Sequence, residues 1–165
     1  MLLENFYKII HRKEREDGKR EIEIELNPGH ALYQGHFPGQ PVVPGVCTLQ
    51  MIKESAEQIV NRPLQYVQIA SSKFLSAINP LETPRLQLFI RLEETEEHLF
   101  KLQAEGICNG KEFINHVIIE SDRSLTAEQR SAASYLIFDQ LSVRNGKRGR
   151  LPAFAILPSW KLRKQ

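Results

Sequence analysis

One imidazole lies in a stretch of chain whose neighbours leave it little freedom to move. His36 stands near the start of Gly35-His36-Phe37-Pro38-Gly39-Gln40-Pro41-Val42-Val43-Pro44-Gly45-Val46. Pro38, Pro41 and Pro44 fix their own φ, while Gly39 and Gly45 permit turns or close approaches that a side chain would block. Such stiffness suits a preorganised site. With an unperturbed pKa of about 6.5, His36 can exchange a proton near neutral pH. Downstream of the loop, the N–H groups of Gly45 and Val46 are the first of an expected helix, where they lack intrahelical acceptors and the dipole favours negative charge. A thioester carbonyl oxygen fits there, with His36 acting at the adjacent carbon. The chemistry expected is proton transfer α to a carbonyl.

The elements that must hold these groups can be read from periodicity. Glu21 to Leu26 reads EIEIEL, a strict alternation that predicts a strand with one buried and one wet face. The following NPGHALYQGHFPGQPVVPG is too punctuated for regular structure and is expected to be an ordered loop. From Gly45, the residues Val46, Leu49, Ile52, Ala56, Ile59 and Val60 recur at spacings of three and four, predicting an amphipathic helix that ends before Pro63. Strands are expected over Tyr66 to Phe74, Arg85 to Glu93, Leu99 to Ile107 and Glu112 to Glu120, the last two joined by an Asn109-Gly110 hairpin turn. One strand, a loop, a central helix and several antiparallel strands make an α+β arrangement in which a sheet wraps a buried helix. A second helix is expected within TAEQRSAASYLIFDQL, where Thr126 and Gln129 could form a capping box, and the apolar clump around Trp160 needs a surface to pack on.

Composition narrows the function classes. A chain of 165 residues that is 41% hydrophobic and 25% charged supports one domain plus an appendage. The N-terminal MLLENFYKIIHRKERE meets charge too early for a signal peptide, and no apolar run approaches the roughly 18 residues of a membrane span, so a cytoplasmic protein is expected. Cys47 and Cys108 have neither metal-ligand spacing nor a disulfide framework and read as small apolar side chains. His11, His30, His98 and His116 read as surface or packing residues. No P-loop, zinc spacing or dinucleotide glycine pattern is present. The net charge of +2 conceals an asymmetry: residues 1–122 carry 13 Lys and Arg against 18 Asp and Glu, and residues 123–165 carry 9 against 2. A basic tail of this kind suits an acidic partner, self-association with the body, or plain solvation.

The run GHFPGQPVVPGV closely resembles the signature of the β-hydroxyacyl-[acyl carrier protein] dehydratases, in which a histidine is followed by F-P-G-x-P-x-x-P-G-V and a central helix. KFLSAINPLETPRLQLFI resembles that family's strand, proline turn and strand, and CNGKEFINHVIIE its closing hairpin. The resemblance covers residues 1–122, read as the dehydratase-like domain, and leaves residues 123–165 as a basic, partly helical extension. It implies a hot-dog fold, a homodimer with two sites at its interface, an acyl tunnel beside the helix, and neither metal nor redox cofactor. The partner it implies is an acyl carrier protein bearing a phosphopantetheine thioester, not nucleic acid and not a membrane. By resemblance His36 acts at the α-carbon and the Gly45 amide holds the thioester carbonyl, with Val46, Gln50 and Phe37 as further substrate-binding positions.

In the family a carboxylate fourteen residues after the histidine, from the other subunit, protonates the departing hydroxyl. Here that position is Gln50, which cannot exchange a proton at useful pH. Where the family reads E-A-M-A-Q, this chain reads Gln50-Met51-Ile52-Lys53-Glu54, with acid and amide exchanged. Residues i and i+4 share a helix face, so Glu54 is expected to be the relocated acid, with a pKa that burial would have to raise. The alternative is that Glu54 belongs with Lys53 and Glu57 to a polar face. Dehydration of a (3R)-hydroxyacyl thioester to the trans-2-enoyl product is the leading expectation. A non-catalytic carrier-binding subunit and a hot-dog thioesterase are the rivals.

Overall fold

A computed structural model describes residues 3–35, 39–96 and 99–122, apart from the side chains at 116 and 120–122. The expected second helix, the Trp160 clump and the loop tip containing His36 and Phe37 lie outside the described residues.

Among the described residues, six strands and one α-helix follow in the order β1 (Tyr7–Glu14), β2 (Arg20–Leu26), a short 3-10 turn (Ala31–Gly35), α1 (Gly45–Val60), β3 (Gln65–Phe74), β4 (Arg85–Glu94), β5 (Phe100–Cys108) and β6 (Lys111–Asp122). The strands form one sheet in the order β1-β2-β4-β5-β6-β3. Every pairing is antiparallel. Strands β2 to β6 and the helix coincide with the expected elements to within two residues. Two features differ. Part of the stretch expected to be wholly irregular coils into the 3-10 turn at Ala31–Gly35, seated by Tyr33, which is buried. Strand β1 has no counterpart in the expectation: only Tyr7 is buried along it and most of its other side chains are exposed, so the alternation that betrays a half-buried strand is missing.

Alternation sets which side of β2, β4 and β5 faces the core. Ile22, Ile24 and Leu26 of β2 are buried while Glu21, Glu23 and Glu25 between them are half-exposed. Leu86, Leu88 and Ile90 repeat the pattern on β4, opposite Ile24, Ile22 and Arg20 respectively. The helix buries Leu49, Met51, Ile52 and Ala56 in the same core. Burying one such side chain contributes about 1.5–3 kcal/mol, which makes this shared apolar layer the main force holding sheet to helix.

Local signals fix the ends. Asn61 takes a left-handed conformation (φ 53°) after α1 and its N–H donates to the Glu57 carbonyl, stopping the helix before Pro63. Asn109 and Gly110 both have positive φ (51° and 73°), the geometry of a two-residue hairpin between β5 and β6.

Candidate functional site

Pro44 begins the helix in extended geometry (φ −62°, ψ 142°), and having no polar side chain it cannot cap. Its carbonyl accepts from the N–H groups of Cys47 (2.9 Å) and Thr48 (3.2 Å). The Gly45 and Val46 amides are therefore the pair that the helix does not use. The approach to this tip is fixed from outside, because the Val43 N–H donates to the Ile78 carbonyl at 2.9 Å, tying the loop to the β3–β4 connection. Gly45 has a further reason to lack a side chain: an added Cβ would stand 3.0 Å from Cζ of Phe74, whose ring covers the helix start. Phe74 is thus a wall of the site that the sequence did not flag, because the last residue of a strand carries no sign of what it faces.

One and a half turns further along α1 stands Gln50, half-buried, and one turn beyond it Glu54, only 2% exposed. Gln50 Nε2 donates to Glu54 Oε1 at 3.0 Å, so the exchanged acid and amide do touch. The hydroxyl of Tyr7 donates to the other carboxylate oxygen, Oε2, at 2.6 Å. A longer contact of 3.4 Å runs from the Leu3 N–H to Oε1. The alternative placement of Glu54 on a solvated polar face is thus corrected. Lys53 and Glu57 form their own i,i+4 pair at 3.1 Å, and Glu57 also accepts from the Leu64 N–H at 2.9 Å, but Glu54 points inward to Tyr7. Tyr7 was missed because the strand that carries it was missed.

Tyr66 closes the same region from β3, donating from its hydroxyl to the Leu49 carbonyl at 2.7 Å. Burial pushes its phenol well above the ordinary value, with the charges of Glu57 and Glu54 adding to the shift. The Tyr7 phenol is raised too, by burial first, then by its hydrogen bond to Glu54 and the charges of Glu54 and Glu57, against a lowering by Arg12. Both hydroxyls are neutral donors over the working pH range.

His98 and the His116 side chain lie outside the described residues, and His30, Cys47 and Cys108 stand apart from this cluster. His30 accepts from the Leu32 N–H at Nδ1 (3.1 Å), which leaves Nε2 to donate to the Glu4 carbonyl (3.1 Å), and its ring meets Phe6 edge to face. It holds a turn. Cys47 is buried, its thiol pushed up to about 12 by that burial, which leaves no useful thiolate near neutral pH. Cys108 is half-buried and close to the Arg85 carbonyl. Among the described residues no group of His, Cys, Asp and Glu is arranged to hold a metal ion, and no helix is long and apolar enough to cross a membrane.

Among the described residues, an antiparallel sheet wrapped around one α-helix, whose uncapped start follows a Pro- and Gly-rich segment, defines a protein of the hot-dog class. A family model described as ApeI dehydratase matches residues 11–111, and the chain belongs to that ApeI-like dehydratase family. Among curated relatives, the 3-hydroxyacyl-[acyl-carrier-protein] dehydratase FabZ of Lactobacillus helveticus is 28% identical over 106 residues, spanning 53% of this chain and 70% of that protein. The FabZ of Herpetosiphon aurantiacus is 29% identical over 105 residues, spanning 59% and 73%. Of solved structures, a chain of the dehydratase heterocomplex ApeI:P from Xenorhabdus doucetiae shares the fold, with a TM-score of 0.58 at 24% identity over 70% of this chain and 97% of that one.

Proposed function

We propose that this hot-dog dehydratase converts a (3R)-hydroxyacyl thioester, carried on the phosphopantetheine arm of an acyl carrier protein, to the trans-2-enoyl thioester and water. His36 removes the α-proton. The Gly45 and Val46 amides hold the thioester oxygen as negative charge develops on it, a contribution worth about 3 kcal/mol per donor in comparable sites. The bond from the β-carbon to the hydroxyl then breaks, and the hydroxyl leaves as water with a proton from Glu54. Phe37 and Gln50 line the acyl thioester.

The observation that supports this reading most is the contact between Glu54 and Gln50, which puts a buried carboxyl one turn from the position where the resemblance expects the acid. Helical rise sets a further condition. Gly45 and Glu54 are nine residues apart on one helix, about 13 Å along its axis, too far to act on neighbouring carbons of one substrate. That separation favours tip and acid supplied by two subunits, in a dimer with the sites at its interface.

The test is to incubate the purified protein with a 3-hydroxyacyl thioester and to follow enoyl absorbance and free thiol together. Enoyl product without thiol is expected, His36→Ala should abolish it, and Glu54→Gln should lower its rate at least 10-fold. Thiol without enoyl would replace dehydration by hydrolysis. Gln50 favours one other reading, a carrier-binding subunit that has lost its acid, and substrate binding without either product would select it. Residues 123–165, with their excess of positive charge, are proposed as a separate extension that contacts the acidic carrier. Truncation after Asp122 should then weaken carrier binding and flatten its salt dependence.

A further inference from the structure

Glu54 is held by residues that precede it in the chain by about fifty positions, on the strand the sequence hides. The torsion that turns a glutamate carboxyl about its last bond is broad and offers little intrinsic preference, so the carboxyl plane is set by whatever hydrogen-bonds to it. Oε1 faces the Gln50 amide. Oε2 faces the Tyr7 hydroxyl at 2.6 Å, a short O–H···O hydrogen bond. The Leu3 N–H reaches Oε1 from farther away, at 3.4 Å, and three nearby polar side chains have partners of their own. Tyr66 on β3 gives its hydroxyl to the Leu49 carbonyl, Glu57 on α1 bridges Lys53 and the Leu64 amide, and Arg12 on β1 binds Gln58.

We propose that Tyr7 is a positioning residue for Glu54, its hydroxyl fixing Oε2 so that Oε1 stays turned toward Gln50 and the reacting hydroxyl. The inference rests on the reading of Glu54 as the proton donor. Tyr7 is suited to this because its own ring is buried in the core, which anchors the hydroxyl from the opposite side of the carboxyl to the helix. Strand β1 lies at the sheet edge with little else buried, and Tyr7 with Glu54, followed one turn on by Arg12 with Gln58, forms a polar seam joining that edge to α1.

Tyr7→Phe removes the hydroxyl and keeps the ring. In the dehydration assay its kcat should fall about 10- to 100-fold with KM within about 2-fold, the scale expected when a reacting group loses its alignment. The pH–rate limb that disappears in Glu54→Gln should be shifted in Tyr7→Phe, and the Tyr7→Phe/Glu54→Gln double variant should be no slower than Glu54→Gln alone. A slow Glu54→Gln beside a Tyr7→Phe with wild-type kcat and an unmoved limb overturns the proposal, even where Tyr7→Phe melts at a lower temperature, since that describes a tie of structure only. A Glu54→Gln variant at wild-type rate removes the reading of Glu54 itself, whatever Tyr7→Phe does, and the inference with it. Should Tyr7→Phe not fold, 3-fluorotyrosine at position 7 keeps ring and hydroxyl and makes the donor more acidic. The same limb should then move, and an unmoved limb counts against the proposal.

Discussion

At the scale of single residues, the exchange of acid and amide along α1 makes the pair Gln50 and Glu54 the most informative place to intervene. Gln50→Glu would set a second carboxyl where an amide now donates at 3.0 Å. Two carboxylates that close cannot both ionise, so one of them would keep its proton to a higher pH in the folded protein than in the unfolded chain. A folded pKa raised in this way gives stability that is present below the unfolded value, near pH 4.3, and is lost as pH rises through the folded value. The variant should therefore melt close to wild type at pH 5 and well below it at pH 8. Adding Glu54→Gln restores one acid and one amide in the order the resembling family uses, and should recover the loss at pH 8. Melting temperatures of the wild type and the two variants at the two pH values check this. The need for such an experiment shows what the sequence carried and what it did not. The motif from Gly35 to Val46 marked the start of α1 at Gly45, because that signal rests on local residue types. The fate of Glu54 depended on a hydrogen bond to Tyr7 across 47 positions, and no local pattern encodes that.

At the scale of elements, legibility followed burial. Strands β2, β4 and β5 were evident because one face of each meets the core and the other meets water, and α1 because its apolar residues recur with the helical period. Strand β1 was invisible because it is an edge strand with most side chains in solvent and a register shift between Ile9 and His11. The β5–β6 hairpin joins the two kinds of information. Its turn was written in Asn109-Gly110, but its irregular register around Gly106 was not. A Cβ on Gly106 would run into the ring of Phe113 and lie 2.9 Å from Cγ2 of Ile114, and both neighbours are fully buried. Gly106→Ala should therefore cost about 1–3 kcal/mol, the usual scale of overpacking. Phe113→Leu, destabilising alone, should be less so in the Gly106→Ala background, because the smaller side chain vacates the space the methyl needs. Urea unfolding of the four proteins measures the coupling, and additive losses would mean that the close approach is not what keeps Gly106 free of a side chain.

At the scale of the whole molecule, the described core around α1 holds four weakly acidic groups whose ionisation burial delays. Tyr7, Tyr33, Tyr66 and Cys47 all have raised pKa values, and burial is the leading cause for each. The unfolded chain ionises its thiol near 9.0 and its phenols near 10.0, whereas folded Cys47 holds its proton to about 12 and the three phenols also ionise later. Over that window the unfolded state binds fewer protons than the folded one, so unfolding becomes easier with each rise in pH. Stability from these groups is fully present below about pH 9 and drains away above it. The melting temperature should accordingly be level from neutral pH to about pH 9 as far as these groups are concerned, then fall with a slope that steepens past pH 10 as the phenols join the thiol. Cys47→Ala should delay the onset of the fall and leave the phenol-driven part in place. A melting temperature that stays level to pH 11 would mean that the fold does not seal these groups from water.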